Sequence, residues 1–132
     1  MFKQNIAYTD FNGQERQEDF YFHLSLPEVT RLEAKFKMSL AEYTQDLVSR
    51  QDPDELITFL EKIVLSSYGR KTADGKSFRK NAELREEFEY SQAYAEFFEA
   101  LLTDPALAAK FGEGVADNGK QRKNTVTPSV IE

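Results

Sequence analysis

The sequence predicts an α+β fold, mainly α, with an N-terminal β-hairpin packed on a bundle of about five short helices. Three observations predict it. Residues 2–24 carry alternating apolar and polar side chains, the period of half-buried strands. Residues 26–115 then show a succession of helix start signals, each followed by apolar residues at helical spacing. Between Leu56 and Tyr68 the stripe is so nearly apolar all round that its helix belongs at the centre of the domain. Residues 1–116 are expected to form one domain, and 117–132, which lose the periodicity and turn polar, a flexible tail.

In the hairpin, Ile6 and Tyr8 alternate with polar neighbours, and Phe20, Phe22 and Leu24 alternate with Tyr21 and His23. Asn12-Gly13 supplies the turn. A bare two-residue loop there would set Ile6 opposite Asp19, on the wrong face from Phe20 and Phe22, because a one-residue slip moves every side chain across the sheet. The loop is therefore expected to be odd in length, most simply Asn12-Gly13-Gln14 with glycine in the left-handed conformation. Two strands alone are marginal in water, so the Phe20/Phe22/Leu24 face must lie on other elements.

Ser25-Leu26-Pro27-Glu28 reads as a capping box that starts a helix with Val29, Leu32 and Phe36 on one side. Ser39-Leu40-Ala41-Glu42 repeats the device and launches Leu40, Tyr43, Leu47 and Val48. Asp52, Pro53 and Glu55 then open the central helix, placing a cap, a preset φ and negative charge at the positive end of the helix dipole. Leu56, Phe59, Leu60, Ile63, Val64 and Tyr68 form its stripe, with Ile57 and Leu65 widening it and Thr58, Glu61, Lys62 and Ser66 left to water. Burial at about 1.5–3 kcal/mol per large side chain makes it the expected largest contributor to the core. Gly69 is expected to close it in the left-handed conformation, and Asp74-Gly75 marks a turn. Asn81 or Lys80 begins the next helical segment. Ser91 is a second potential cap inside it, so one bent helix and two abutting helices both fit. Asp104-Pro105 starts the last helix, which Gly112 and Gly114 are expected to stop.

The composition narrows the function classes. The chain has 132 residues, no cysteine and a net charge of −6. A domain of this length supports one core, and nothing in it reads as a membrane span or an apolar leader. Absence of cysteine excludes disulfides and thiolate-bound zinc and fits a reducing compartment. Net negative charge argues against nucleic acid and anionic membranes as partners. His23 is the single histidine, and no glycine-rich phosphate loop is present. Asp52, Asp54 and Glu55 lack calcium-loop spacing, and the helix cap explains them. Glu83, Glu86, Glu87, Glu89, Glu96 and Glu99 read as a solvated helix face rather than a glycosidase pair. No catalytic residue, cofactor or metal site is expected.

Charge and aromatic patterns supply the candidate partner-binding residues instead. Arg70, Lys71, Lys76, Arg79 and Lys80 surround the Asp74-Gly75 turn, and the glutamate-rich segment follows at once. Two ordinary solvated surfaces explain this. So does a basic patch on one copy meeting an acidic patch on the next, a head-to-tail contact. Phe97 and Phe98 are adjacent on one helix and point about 100° apart, so one of the two is a candidate anchor outside the core.

Four stretches taken in order, YTDFNG…EDFYFHLS, IVLSSYG, the K-x-x-DGK-x-F turn and ELREEFEYSQAYAEFFEALLTDPALAAKF, resemble the tail assembly chaperones of siphovirus-type bacteriophages or prophages. The resemblance covers roughly residues 2–115. It implies a non-enzymatic factor that binds and solubilises the helical tape measure protein and assists polymerisation of the tail tube. It further implies self-association and, through a longer frameshifted form, contact with the major tail tube protein. The expected location is the host bacterial cytoplasm, with absence from the mature virion. The family supplies no residue-level site. The rival reading is a small virion structural protein of the tail, neck or head-completion type. A DNA-binding regulator using the 70–80 turn lacks a helix-turn-helix with a basic second helix.

Overall fold

Residues 2–22 form the expected hairpin, β1 (Phe2–Thr9) and β2 (Glu15–Phe22), in this computed structural model, which describes residues 1–116. The expected tail, 117–132, lies outside the described residues. Ile6 pairs with Glu18 and Phe2 with Phe22, so Ile6, Phe20 and Phe22 share the inner face as the alternation requires. The odd loop is one residue earlier than expected. Asp10 N donates to Gln14 O at 2.8 Å and Gly13 N to Asp10 O at 3.0 Å, leaving Phe11, Asn12 and Gly13 as the loop. Gly13 takes the left-handed conformation at φ 81°. Asp10 fixes this frame because its Oδ1 accepts from the Asn12 and Gln14 amides, both at 2.9 Å.

The sheet does not stop at two strands. β3 (Tyr68–Lys71) pairs antiparallel with β2, and β4 (Phe78–Arg79) with β3, giving the order β1-β2-β3-β4. Gly69 therefore closes nothing in a left-handed turn. It is extended within β3, where a Cβ would meet Arg79 O and come within 2.7 Å of the Phe78 ring. Close approach of two strands, rather than helix termination, selects glycine here.

Six helices follow the predicted starts. They are α1 (Leu26–Phe36), α2 (Leu40–Arg50), α3 (Pro53–Ser67), α4 (Ala82–Glu89), α5 (Gln92–Thr103) and α6 (Pro105–Val115). Ser25 and Ser39 form complete capping boxes with Glu28 and Glu42, and Asp52, Asn81, Ser91 and Asp104 cap the other four. Ser91 thus resolves the open alternative in favour of two abutting helices. α6 runs through both glycines instead of ending at them. A Cβ on Gly112 would stand 2.5 Å from Thr44 Oγ1 of α2, and one on Gly114 2.7 Å from the Phe2 ring. These glycines admit neighbours into the helix surface. The buried Thr44 hydroxyl is satisfied by Leu40 O at 2.8 Å.

The core lies between the inner sheet face and the helices. α3 contributes Phe59, Leu60, Ile63 and Val64 as expected, but Ile57 faces outward at 37% exposure. Phe22, fully buried at the end of β2, is the aromatic hub: its ring centroid lies 5.1 Å from Phe97, 5.6 Å from Phe111 and 5.7 Å from Phe88. Such offset and edge-on pairs add to the burial of each ring. The core is thereby shared among the sheet and all six helices, rather than centred on α3 alone.

Candidate interaction surfaces

The β3–β4 turn is built by Thr72 and Asp74. Thr72 N donates to Ser77 O at 2.9 Å, and Asp74 Oδ1 accepts from Thr72 Oγ1 at 2.7 Å and Lys76 N at 3.0 Å. The Thr72 hydroxyl and the Lys76 amide hold the Asp74 carboxyl below the usual range. Gly75 supplies the left-handed residue at φ 75°. This hairpin does bring the five basic residues onto one structural element and its flank, yet three of them are engaged inside the chain. Arg70 pairs with Glu87 of α4. Lys71 Nζ sits 4.7 Å from the centroid of the Tyr21 ring, in cation–π range. Lys80 Nζ lies 2.6 Å from Glu28 Oε1 and 3.0 Å from His23 O. Lys76 and Arg79 are exposed and have no ion-pair partner among the described residues.

Beside this hairpin the sheet carries a cleft of about 360 Å³, floored by Phe20, Tyr21 and Tyr68 and rimmed by Asp19, Arg70 and Lys71. A smaller pocket of about 220 Å³ adjoins it, where Tyr8, Phe88, Glu87 and Ser91 join the lining. Tyr8 donates to Glu18 Oε1 at 2.6 Å, and that bond, followed by burial, pushes the phenol pKa up to about 12. The basic rim meets an aromatic floor already stacked from behind, since Tyr68 and Phe88 lie 4.3 Å apart between centroids.

The two phenylalanines expected near a partner divide. Phe97 is a core residue, 2% exposed and stacked on Phe22, so it is not available as an anchor. Its position in α5 points into the sheet because the helix lies across β1. Phe98, turned about 100° away, is half-buried against Tyr94, with ring centroids 5.6 Å apart.

A second concave surface was not legible in the sequence. Phe36 at the end of α1 stacks on Tyr43 of α2 at 3.9 Å between centroids and 3° between planes, and Phe59 of α3 stands edge-on to Tyr43 at 5.0 Å. These rings floor a groove of about 510 Å³, rimmed by Lys35, Lys62, Asp54 and Glu55. Phe36, Tyr43 and Phe59 all occur in apolar stripes, so helical spacing assigns them to the core. A sequence signal exists only in the grouping of Phe36 at the α1 end with Tyr43 in the first turn of α2, where both rings are half-buried, while Phe59 behind them is buried at 7% exposure.

His23 lies edge-on to Phe78, with ring centroids 5.7 Å apart. Among the described residues no three His, Cys, Asp or Glu side chains gather as a metal site, and no helix is long and apolar enough to cross a membrane. Asp52, Asp54 and Glu55 sit in the first turn of α3, where Asp52 caps Glu55 N at 3.3 Å.

The fold and its surfaces define a small helical domain with a four-stranded sheet and two aromatic-floored, charge-rimmed clefts. A sequence profile of phage tail assembly chaperones matches residues 1–123, and the chain belongs to that family. It has a chaperone role in tail assembly. No curated protein and no solved structure matches the chain.

Proposed function

We propose that this chain is a non-enzymatic chaperone that binds the tape measure protein, keeps it soluble and assists polymerisation of the tail tube around it. The observation that carries this reading is the family match across residues 1–123. The client surface is the sheet cleft together with the β3–β4 hairpin. Its aromatic floor offers apolar contact to one face of a client helix, and exposed Lys76 and Arg79 offer charge to acidic residues flanking that face. Such a contact is modest and salt-sensitive, which suits a client that must later be released. Repetition along a long client makes up for weakness, since linked sites bind by avidity. Self-association, recruitment of the major tail tube protein by a longer frameshifted form, action in the host bacterial cytoplasm and absence from the finished virion complete the reading.

Co-expression with the longest helical protein encoded downstream tests it. The client is expected to stay soluble only with this chain and to co-purify with several copies of it. A double charge reversal, Lys76→Glu with Arg79→Glu, is expected to reduce the co-purified client about tenfold, a loss of about 1.4 kcal/mol. A client that aggregates regardless, with this chain eluting alone and stoichiometric in purified particles, would move the assignment to a virion component.

A further inference from the structure

We propose that the opening between β2 and β3 takes an extended, uncharged peptide segment of a partner protein as an added strand on the free edge of β2, with one apolar side chain seated in the pocket behind it. The site stands on the sheet geometry, whichever protein supplies the segment.

β2 and β3 separate early. Their ladder holds only Tyr21–Gly69 and Phe22–Tyr68, although β2 begins at Glu15 and β3 runs on to Lys71. Asp19 and Lys71 come next in that register and do not pair; β3 pairs there with β4 instead. The cleft of about 360 Å³ is this opening, with Asp19 and Phe20 on one side and Arg70 and Lys71 on the other. His23 N donates to Ser67 O at 2.8 Å, so the odd-numbered residues of β2 turn their backbone groups toward β3 and the even-numbered ones toward β1. Glu15, Gln17 and Asp19 therefore present N–H and C=O groups along an exposed edge, with no pairing partner in the sheet among the described residues. Such a row specifies an extended occupant, because a strand matches its donor and acceptor spacing.

The lining of the opening sets the chemistry of that strand. Alternation sends its side chains to both faces of the sheet. On the inner face lies the pocket of about 220 Å³ lined by Tyr8, Phe20, Tyr68 and Phe88, which suits one aliphatic side chain. The charged groups around the opening are already engaged: Arg70 with Glu87, Glu18 with Tyr8 and Arg16, Asp19 with Asn5 and Lys3, and Lys71 over Tyr21. A charged segment would lose hydration there without gaining a free partner, so the fitting occupant is uncharged. The charges at the edge also guard it against indiscriminate pairing. Where the same aromatic floor serves a client helix, strand and helix exclude one another.

The probe is the end-capped peptide Gln-Thr-Val-Thr-Leu-Thr-Val-Thr-Gln carrying an uncharged dye, and its fluorescence anisotropy is followed as the full chain is added. Saturable binding is expected below about 1 mM, changing less than about twofold between about 0.05 and 0.5 M salt. A strand bonded to one edge uses alternate amides, so N-methylating one alternate set is expected to weaken binding about tenfold, and the other set less than about threefold. Gln17→Pro removes one N–H from the edge at a position where an edge strand tolerates proline, and is expected to weaken binding about fivefold or more. The methylated peptides make the same test on the unaltered chain. No saturable binding at about 1 mM, or equal effects of the two methylated sets, would overturn the proposal. Binding indifferent to Gln17→Pro would place the peptide elsewhere and overturn it as well. A loss of about tenfold across the salt range would show an electrostatic contact, like that at Lys76 and Arg79, and would also refute it.

Discussion

Lys80 Nζ lies 2.6 Å from Glu28 Oε1, joining the residue after β4 to the first turn of α1 across 52 positions of sequence. The same carboxylate oxygen accepts from Ser25 N at 2.7 Å, so one atom serves both the capping box and the long-range pair. Burial pushes the Glu28 carboxyl up, but the Lys80 ammonium and the Ser25 amide together outweigh it and hold the group below its usual value. A carboxyl depressed in the folded state contributes stability above its unfolded pKa and loses it as pH falls through the folded pKa. Glu28→Gln is therefore expected to cost about 1 kcal/mol at neutral pH, a modest figure because the pair is partly exposed. The gap between variant and parent in urea unfolding should close in acid, and a gap independent of pH would refute the assignment.

Gly69 tolerates no side chain. Its virtual Cβ meets the Arg79 carbonyl, which belongs to paired backbone and cannot move aside as a side chain can. Gly69→Ala is expected to destabilise the domain by about 1–3 kcal/mol, the cost of overpacking. At Gly75 there is open space and only the positive φ of 75° to object, so Gly75→Ala should cost about 1 kcal/mol. Chemical denaturation of the two variants side by side checks the order.

Two helices end on left-handed residues that are not glycine, Lys37 at φ 60° and Gln51 at φ 56°. A side chain in that conformation carries a steric penalty that glycine avoids. Lys37→Gly and Gln51→Gly are each expected to raise stability by about 0.5–1 kcal/mol, seen as a higher urea midpoint with an unchanged slope. A lowered midpoint for both would show that the side chains do more at these ends than tolerate strain.

Tyr8 and Tyr94 are both pushed up to about 12, Tyr8 chiefly by its bond to Glu18 and Tyr94 chiefly by burial, with Glu61 and Glu89 adding to it. A tyrosine raised in the folded state stabilises it fully below the unfolded pKa of about 10, and that contribution fades as pH rises through the folded value. Folding stability is expected to fall between about pH 10 and 12. Tyr8→Phe removes one of these two raised phenols and should flatten part of that fall. Spectroscopic titration of tyrosinate should show one late-ionising phenol fewer in Tyr8→Phe than in the parent.

The fold was legible wherever its signal is local. Ser25, Ser39, Asp52, Asn81, Ser91 and Asp104 each cap the helix that follows, because a cap needs only a side-chain oxygen and an amide two or three residues on. Strand alternation likewise put Ile6, Phe20 and Phe22 on one face. Glycine was harder to read, since the same residue serves a turn at Gly13, a strand contact at Gly69 and a helix contact at Gly112. Only the neighbours distinguish these uses.

The candidate surfaces divide in the same way. The sequence located the basic hairpin but not its pairing state: whether Arg70 meets Glu87, or Lys80 meets Glu28, depends on which elements lie side by side. It marked Phe97 and Phe98 as alternatives, and packing of α5 on β1 chose Phe97 for the core. The aromatic groove has no signature of its own, because a half-covered ring and a buried ring obey the same helical period.

By itself, then, the sequence determined the hairpin, every helix start but the one at Ser91 that it left open, the identity of most core side chains and the family pattern, all properties of short-range spacing and order. Tertiary structure alone decided that β3 and β4 extend the sheet, that Phe22 rather than a helix stripe is the aromatic hub, and which charges and rings remain outside. The physical reason is that burial and pairing between distant segments are fixed by the contacts a residue makes in space, and those contacts are a property of the assembled whole.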